Sequence, residues 1–504
     1  MTPSPANCPN PPNVASNSTS RLLFGRLHHP GPLRLRQKGN WQYFQDGTKF
    51  FDASGTAATA CLGFGDKRLL KAKRSQETTA PVADELIFRT PVVEELARRL
   101  IESTDGKMDR VGFYSSGSEN NEAGVKLARQ YQFDRGESQR DWIIARKRSY
   151  HGNTITTLSI SGYEERQEKQ KPLFNSKVSY VSACYEYRDR RPCETIEEFV
   201  ERHSRELDAE FKRVGPERVI AFICEPVSGA ALACAKFVPG YLNAMHAVCK
   251  KYGALMIVDE IMCGAGRCGG TYHVWQKEEG FVPDIQTMGK SFSGGHAVIG
   301  AVLVSRRVSA QIEGASGMFL HGHTFQAEPS ACAVALETMR IVEPLLPRVE
   351  QLGVRLLKGL YQRLKDHPNV GDIRGEGCFL ALEFVKDKAT KEPFDRGMEI
   401  TDRIFEKGIS DYQIRVYKST GFILPSGRGD AIILAPAFNI SNAVADYIVD
   451  KVCSLVEDFF HELENPPLPL SPGNSSVVSV KESSKALSTR SRFSRAFGRF
   501  LCNC

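Results

Sequence analysis

Short, densely apolar runs recur between residues 111 and 305: VGFYSSG (111–117), DWIIARK (141–147), VIAFICEP (219–226), ALMIVDE (254–260), PDIQTMG (283–289) and AVIGAVLVS (297–305). Continuous apolar runs of this length, bounded by polar or small residues, predict strands buried on both faces. Between them, NEAGVKLARQYQF (121–133) and YLNAMHAVCKKYG (241–253) carry apolar residues at helical spacing. Strands alternating with helices predict an α/β fold with a mostly parallel sheet covered on both faces. Ligands then bind at the carboxyl ends of the strands. No internal repeat is visible.

The two ends of the chain break this pattern. Residues 1–20 hold five prolines and no charged side chain, and residues 21–38 add Arg21, Arg26, Arg34, Arg36 and Lys38 without an acid. The first 38 residues are therefore expected to be a disordered basic lead; they lack the apolar stretch of a signal peptide. An acid-free basic segment also suits mitochondrial import, although its prolines work against the amphipathic helix that import needs. At the other end, NPPLPLSPGNSSVVSV reads as a linker, so the folded body is expected to stop near Leu463. Beyond it, Phe493, Phe497, Phe500 and Leu501 share one helical face, with Arg492, Arg495 and Arg499 on another. That pattern allows weak contact of the tail, 464–504, with an anionic membrane surface. The terminal Cys502-Asn503-Cys504 is similar to doubly prenylated ends.

Length and composition narrow the class. A chain of 504 residues exceeds one typical core. With 41% hydrophobic and 25% charged residues, and no apolar run of membrane-spanning length, it reads as a soluble globular protein. The five net positive charges at each end outweigh the overall +7 and leave residues 39–464 at about −3, so the body does not bind nucleic acid. Fourteen cysteines in so long a chain suit reduced thiols and a cytoplasmic setting. Cys263 and Cys268, like His321 and His323, lack further residues at metal-ligand spacing and read as ordinary core or loop residues.

Three chemical signals fall at predicted strand ends. Ser116, Gly117 and Ser118 follow one strand and open a helix, where free backbone N–H groups and the helix dipole suit a phosphate. The same residues also make an ordinary helix start. Asp259 ends the run LMIVD, and a carboxylate there needs a cation or a protonated nitrogen unless it sits just clear of the core. Lys290 stands between an apolar strand and the cluster SFSGG. A partly desolvated amine loses proton affinity and becomes nucleophilic toward carbonyls. Together, a phosphate cradle, a buried acid and a strand-end lysine describe a site for pyridoxal 5′-phosphate.

Over residues 39–463 the chain resembles the class III (ω-type) pyridoxal-phosphate-dependent aminotransferases. The likeness rests on an ordered set of motifs: NWQYFQDGTKFFDASG, SSGSENNEAGVKLAR, SYHG, CEPVSG, IVDEIMCGAGRCG, PDIQTMGKSFSGG, HGHTFQAEPSACAVAL, VGDIRGEGCFLALEFVKDK and IILAPAFNIS. The resemblance implies a fold-type I transferase, with a mainly parallel seven-stranded sheet in a large domain (76–340) and a small α/β domain from both chain ends (39–75 and 341–463). It further implies a homodimer with shared active sites. Lys290 matches the Schiff-base lysine, Asp259 the partner of the pyridine nitrogen, and Gly117 and Ser118 the phosphate turn. Tyr150 matches the aromatic stacked on the ring, Ile261 the branched residue on its other face, and Glu225 the acid near the phenolic side. Thr324 matches the residue that reaches the phosphate across the dimer interface.

The implied reaction moves an amino group from an amine or ω-amino compound to an α-keto acid. Alternatives on the same fold are an aminomutase of the glutamate-1-semialdehyde type, a decarboxylating transaminase, and a non-catalytic scaffold. Four departures stand out. Ile433 occupies the place of a carboxylate-gripping arginine, and Arg428 lies about two residues out of register with a movable arginine of ω-transaminases. Glu328 replaces a histidine, and KRLLKAKRSQETTAPVADELIF matches poorly in a region that usually helps form the substrate pocket.

Overall fold

A computed structural model describes residues 32–84, 87–421 and 428–465. The chain divides into two units, one of Met1–Leu35, Tyr43–Thr48 and Leu470–Cys504, the other of Arg36–Gln42 and Lys49–Pro469. The first lies almost entirely outside the described residues, as do the Phe/Arg tail and the terminal cysteines. Arg34–Lys38, expected within the disordered lead, forms a strand: after Pro32 the run RLRQK contains no proline, and Gly39 at φ +57° turns the chain into Trp41–Phe44.

The second unit holds a seven-stranded sheet of β1 (Met108–Tyr114), β2 (Trp142–Arg146), β3 (Val178–Val181), β4 (Val219–Cys224), β5 (Leu255–Glu260), β6 (Ile285–Met288) and β7 (Gly300–Ser305), in the order β1-β7-β6-β5-β4-β2-β3. This is the mainly parallel α/β sheet that the alternation of apolar runs and helical segments predicts. β4 and β5 at its centre are buried at every position, as their unbroken apolar runs require. β3, VSYV, alternates buried and half-buried residues at the sheet edge, which is why no apolar run marks it. β7 runs antiparallel to β6 and β1. Residues 289–299 hold only a 3₁₀ turn and no crossover helix, so the chain returns in the opposite direction.

Helix α1 (Gly117–Asp134) lies on this sheet, and a Cβ at Gly124 would touch Thr287 Cγ2 at 3.5 Å and Ile285 Cγ2 at 3.6 Å. Its absence lets helix and strands approach closely. On the C-terminal side, β8 (Val370–Glu376), β9 (Phe379–Phe384), β10 (Tyr417–Thr420) and β11 (Asp430–Leu434) form an antiparallel sheet ordered β8-β9-β11-β10. Helix α2 (Leu346–Leu364) packs on β8 and on α3 (Asn442–Glu464). The poorly matching stretch after Asp66 opens with a helix, Lys67–Glu77, capped by Asp66, which accepts from Arg68 N at 2.9 Å. Its buried Leu69 points toward Gly294, four residues after Lys290.

Candidate active site

The register of the sheet gathers the three signals. Val258 lies beside Cys224, and Asp259 beside Thr287, so β4, β5 and β6 end side by side. Glu225, Asp259 and Lys290 therefore emerge at one edge, where the loops after β1 and β2 bring Ser116–Ser118 and Tyr150–Gly152.

Lys290 opens a 3₁₀ turn, Lys290–Ser293, at φ +45°, a left-handed conformation that costs a non-glycine residue on the order of 1–3 kcal/mol. The turn is tied down from below. Ser291 Oγ donates to the carbonyl of Ala58 at 2.8 Å, Ser293 Oγ donates to that of Ala297 at 2.7 Å, and the Cys61 thiol donates to that of Ser291 at 3.3 Å. Such anchoring holds strain where function needs it. Among the described residues the Lys290 amine makes no hydrogen bond and no ion pair. Burial lowers its pKa from the ordinary 10.5, and the Arg166 charge adds to this, while Asp259, Glu225 and Cys263 oppose it.

Asp259 is 3% exposed, and its charge is met by donors rather than by a salt-bridged lysine or arginine. Its Oδ2 accepts from Asn121 Nδ2 at 2.7 Å and from His151 Nδ1 at 2.8 Å, and its Oδ1 accepts from Ile261 N at 2.9 Å. Asn121 is itself locked: Nδ2 also donates to the carbonyl of His151 at 2.7 Å, and Oδ1 accepts from Thr287 Oγ1 at 2.7 Å. A carboxylate offers about four lone-pair positions, so one on Oδ1 remains for an incoming donor. His151 Nε2 is buried without a partner among the described residues.

Glu225 faces the same space. Its Oε1 accepts from Tyr150 N and Ser228 Oγ, both at 3.2 Å, and its Oε2 from Gly229 N at 2.9 Å. Burial raises its pKa above the usual carboxylate range; Asp259 pushes the same way, and His151 against it. The half-buried Tyr150 ring carries the Arg166 guanidinium 4.7 Å from its centroid.

Helix α1 supplies the anion cradle. Ser116 caps it by accepting from Glu119 N at 3.2 Å, which leaves the N–H groups of Gly117 and Ser118 without an acceptor among the described residues. Ser118 Oγ accepts from Asn153 N at 3.0 Å, so its hydroxyl hydrogen remains available. The space is defined by missing methyls. A Cβ on Gly117 would lie 2.7 Å from Ile261 Cγ2, and one on Gly152, at φ +144°, would lie 2.9 Å from Ser118 Cα. Ile261 Cδ1 would also touch a Cβ on Gly289 at 3.4 Å, so this side chain sits between the helix start and the lysine turn.

Lys290, Asp259, Glu225, Tyr150, Gly117, Ser118 and Ile261 thus converge at the edge where β1, β2, β4, β5 and β6 end. Thr324 does not join them: it is exposed on the loop between the helices Arg306–Gly314 and Pro329–Val342. Arg428 pairs with Asp395 at 3.6 Å beyond the antiparallel sheet, and Ile433 is buried within β11. Glu328 has a structural use, accepting from Ser330 N at 3.1 Å and Ala331 N at 2.6 Å as the cap of Pro329–Val342. Sequence reasoning missed His151, Asn121, Gly152 and Arg166. The first three lie inside the quoted motifs SYHG and SSGSENNEAGVKLAR but were given no role there; Arg166 carried no signal at all.

Comparison with known proteins agrees with this geometry. The family described as Aminotransferase class-III matches residues 29–456. An uncharacterized aminotransferase of Schizosaccharomyces pombe is 39% identical over 443 residues, 88% of this chain and 96% of that protein. Gamma aminobutyrate transaminase 2 of Solanum lycopersicum is 34% identical over 441 residues, 85% of this chain and 92% of that protein. Among solved structures, the ω-transaminase of Pseudomonas jessenii in complex with PMP matches with a TM-score of 0.78 and 30% identity, covering 87% of this chain and 94% of that one.

Proposed function

This chain belongs to the class III aminotransferases, whose cofactor is pyridoxal 5′-phosphate, and on that premise we propose that it moves an amino group from an amine or ω-amino compound to an α-keto acid. The observation that carries the reading is Lys290. It is a depressed, unpaired amine at a strand end, facing two carboxylates and a helix start with free N–H groups.

The residues present fit the cofactor. Gly117 and Ser118 would bind its phosphate through their N–H groups and the Ser118 hydroxyl, since the cradle exists only because Cβ atoms are missing. The remaining lone pair of Asp259 would hold a proton on the ring nitrogen, and its locked donors keep the carboxylate in place. Tyr150 and Ile261 would flank the ring, and Glu225 would face its phenolic side. Bound there, the cofactor supplies an electron-withdrawing ring that accepts the electron pair left when a substrate loses its α-proton. Lys290 would hold the cofactor covalently and, once released from it, carry that proton on Nζ, a task for which burial has lowered its basicity.

The same proposal includes a homodimer in the cytoplasm. Exposed Met318, Leu320 and Phe325 flank Thr324 in sequence, as expected of a loop that packs on a second copy. It also keeps a large domain at 76–340 and a small domain from 39–75 and 341–463. The Solanum lycopersicum relative supports an ω-amino acid as donor. The test is the visible absorption of the purified protein during titration with a panel of amines and amino acids. Conversion of the bound cofactor to its amino form by a donor, and its reversal by a keto acid, supports the reading. Turnover that needs no keto acid would instead indicate an aminomutase, and no cofactor band at all would overturn both.

A further inference from the structure

Arg166 is the cation of this site that no sequence motif marks. It sits in the short helix Glu164–Gln167, and its guanidinium lies 4.7 Å from the ring centroid of Tyr150 and 4.9 Å from that of Tyr163. Tyr163 in turn donates from its hydroxyl to the carbonyl of Thr420 at 3.3 Å, which fixes the second ring. Stacking on aromatic faces leaves the in-plane N–H edges of a guanidinium open. Among the described residues, no carboxylate or carbonyl accepts from Arg166. The acids on its side of the site are already engaged: Glu225 accepts from Tyr150 N, Ser228 Oγ and Gly229 N, and Asp259 from Asn121, His151 and Ile261 N. The Arg166 charge reaches Lys290, where it lowers the proton affinity of the amine.

A half-buried guanidinium with no counter-ion, held by two rings beside the reacting amine, is arranged to receive an anion from solution. We propose that Arg166 binds the carboxylate of the substrate through its free N–H edge, making a carboxylate-bearing amino or keto acid the preferred substrate class. Ile433 and Arg428 do not supply this grip, the first being apolar and buried and the second paired with Asp395. The inference rests on the aminotransferase reading above.

The test compares wild type with Arg166→Leu and Arg166→Lys as cofactor-loaded, full-length enzymes. One arm pairs an ω-amino acid with the matching alkylamine, using a common acceptor. The other pairs a keto acid with the matching aldehyde, using a common donor. Loss of a charge-assisted grip raises KM for carboxylate substrates about ten- to a hundred-fold relative to their uncharged partners in Arg166→Leu, on top of any change in kcat that both share through Lys290, and is partly restored in Arg166→Lys. The arm that responds identifies whether donor, acceptor or both are held this way. Equal losses for charged and uncharged substrates, or no change in either, would overturn the proposal. Should the leucine variant fail to fold, the lysine variant is read alone: unchanged KM overturns the grip. A binding arm separates this idea from the functional reading. Calorimetry with unreactive pentanoate, against pentanol, should show binding by wild type and its loss in the variants even if no transamination is found; equal binding of the two compounds overturns the site.

Discussion

Replacing Asp259 with asparagine tests the least replaceable side chain of the site after the lysine. The wild-type carboxylate accepts three hydrogen bonds, from Asn121 Nδ2 at 2.7 Å and His151 Nδ1 at 2.8 Å on one oxygen and from Ile261 N at 2.9 Å on the other. An asparagine has one acceptor atom and one donor group. With its oxygen toward Asn121 and His151, its NH₂ confronts Ile261 N–H; turned around, it confronts two donors instead. The better arrangement still loses a hydrogen bond to a charged group, worth about 1.5–3 kcal/mol. The variant also removes the anion that opposes the depression of Lys290, so the lysine pKa falls further.

The sign follows from linkage. A lysine whose folded pKa lies below 10.5 costs stability at low pH, and that cost disappears as pH rises toward 10.5; without Asp259 the dependence extends to lower pH. Urea unfolding of the cofactor-free protein should show a loss of about 2 kcal/mol at neutral pH, and turnover should fall at least about 100-fold, as expected when an electrostatic partner is removed from a reacting centre. A variant with an unchanged urea midpoint and activity within a few-fold of wild type would refute the reasoning.

Lys290→Ala should lose turnover by about 10²–10⁴-fold or more in steady-state assays, while the cofactor-free variant melts no lower than wild type, because the cost of the buried amine is removed. Gly117→Ala places a methyl 2.7 Å from Ile261 Cγ2, so calorimetry should show weaker cofactor binding, and unfolding a cost of about 1–3 kcal/mol. Burial raises Glu260 from 4.5 to about 7, so between these values the folded state holds a proton that the unfolded state has lost, and stability falls as pH rises through the window. Glu260→Gln should flatten that part of the stability–pH curve while losing hydrogen bonds from Val274 N, Trp275 N or Gln286 Nε2. Glu328→Ala removes the cap of Pro329–Val342 and should lower stability by about 1 kcal/mol in thermal or urea unfolding.

How much of this was legible in the sequence depended on the physics of each part. β4 and β5 announce themselves because strands buried on both faces need unbroken apolar runs; β3 at the edge does not, because half of its residues meet solvent. The reversed direction of β7 is hidden because side-chain pattern reports burial, not polarity of the chain. Lys290 and Asp259 were legible because ionisable groups at the end of apolar runs are unusual. His151 and Asn121 were not, since a histidine or asparagine acquires its role only when folding brings it to a carboxylate far along the chain. Arg166 lies in a charge-rich stretch, GYEERQEKQK, where one more cation is unremarked until two tyrosine rings close on it. The expected disordered lead ran too far because RLRQK carries no β-branched or aromatic residue, so nothing in its composition announces the strand that it forms.

The account stands on one ε-amino group carrying the cofactor. Borohydride reduction of the purified, cofactor-loaded protein, followed by proteolysis and mass mapping, should place a single stable pyridoxyl label on the peptide containing Lys290. A label on another lysine, or its absence from a protein that still transaminates, would contradict it.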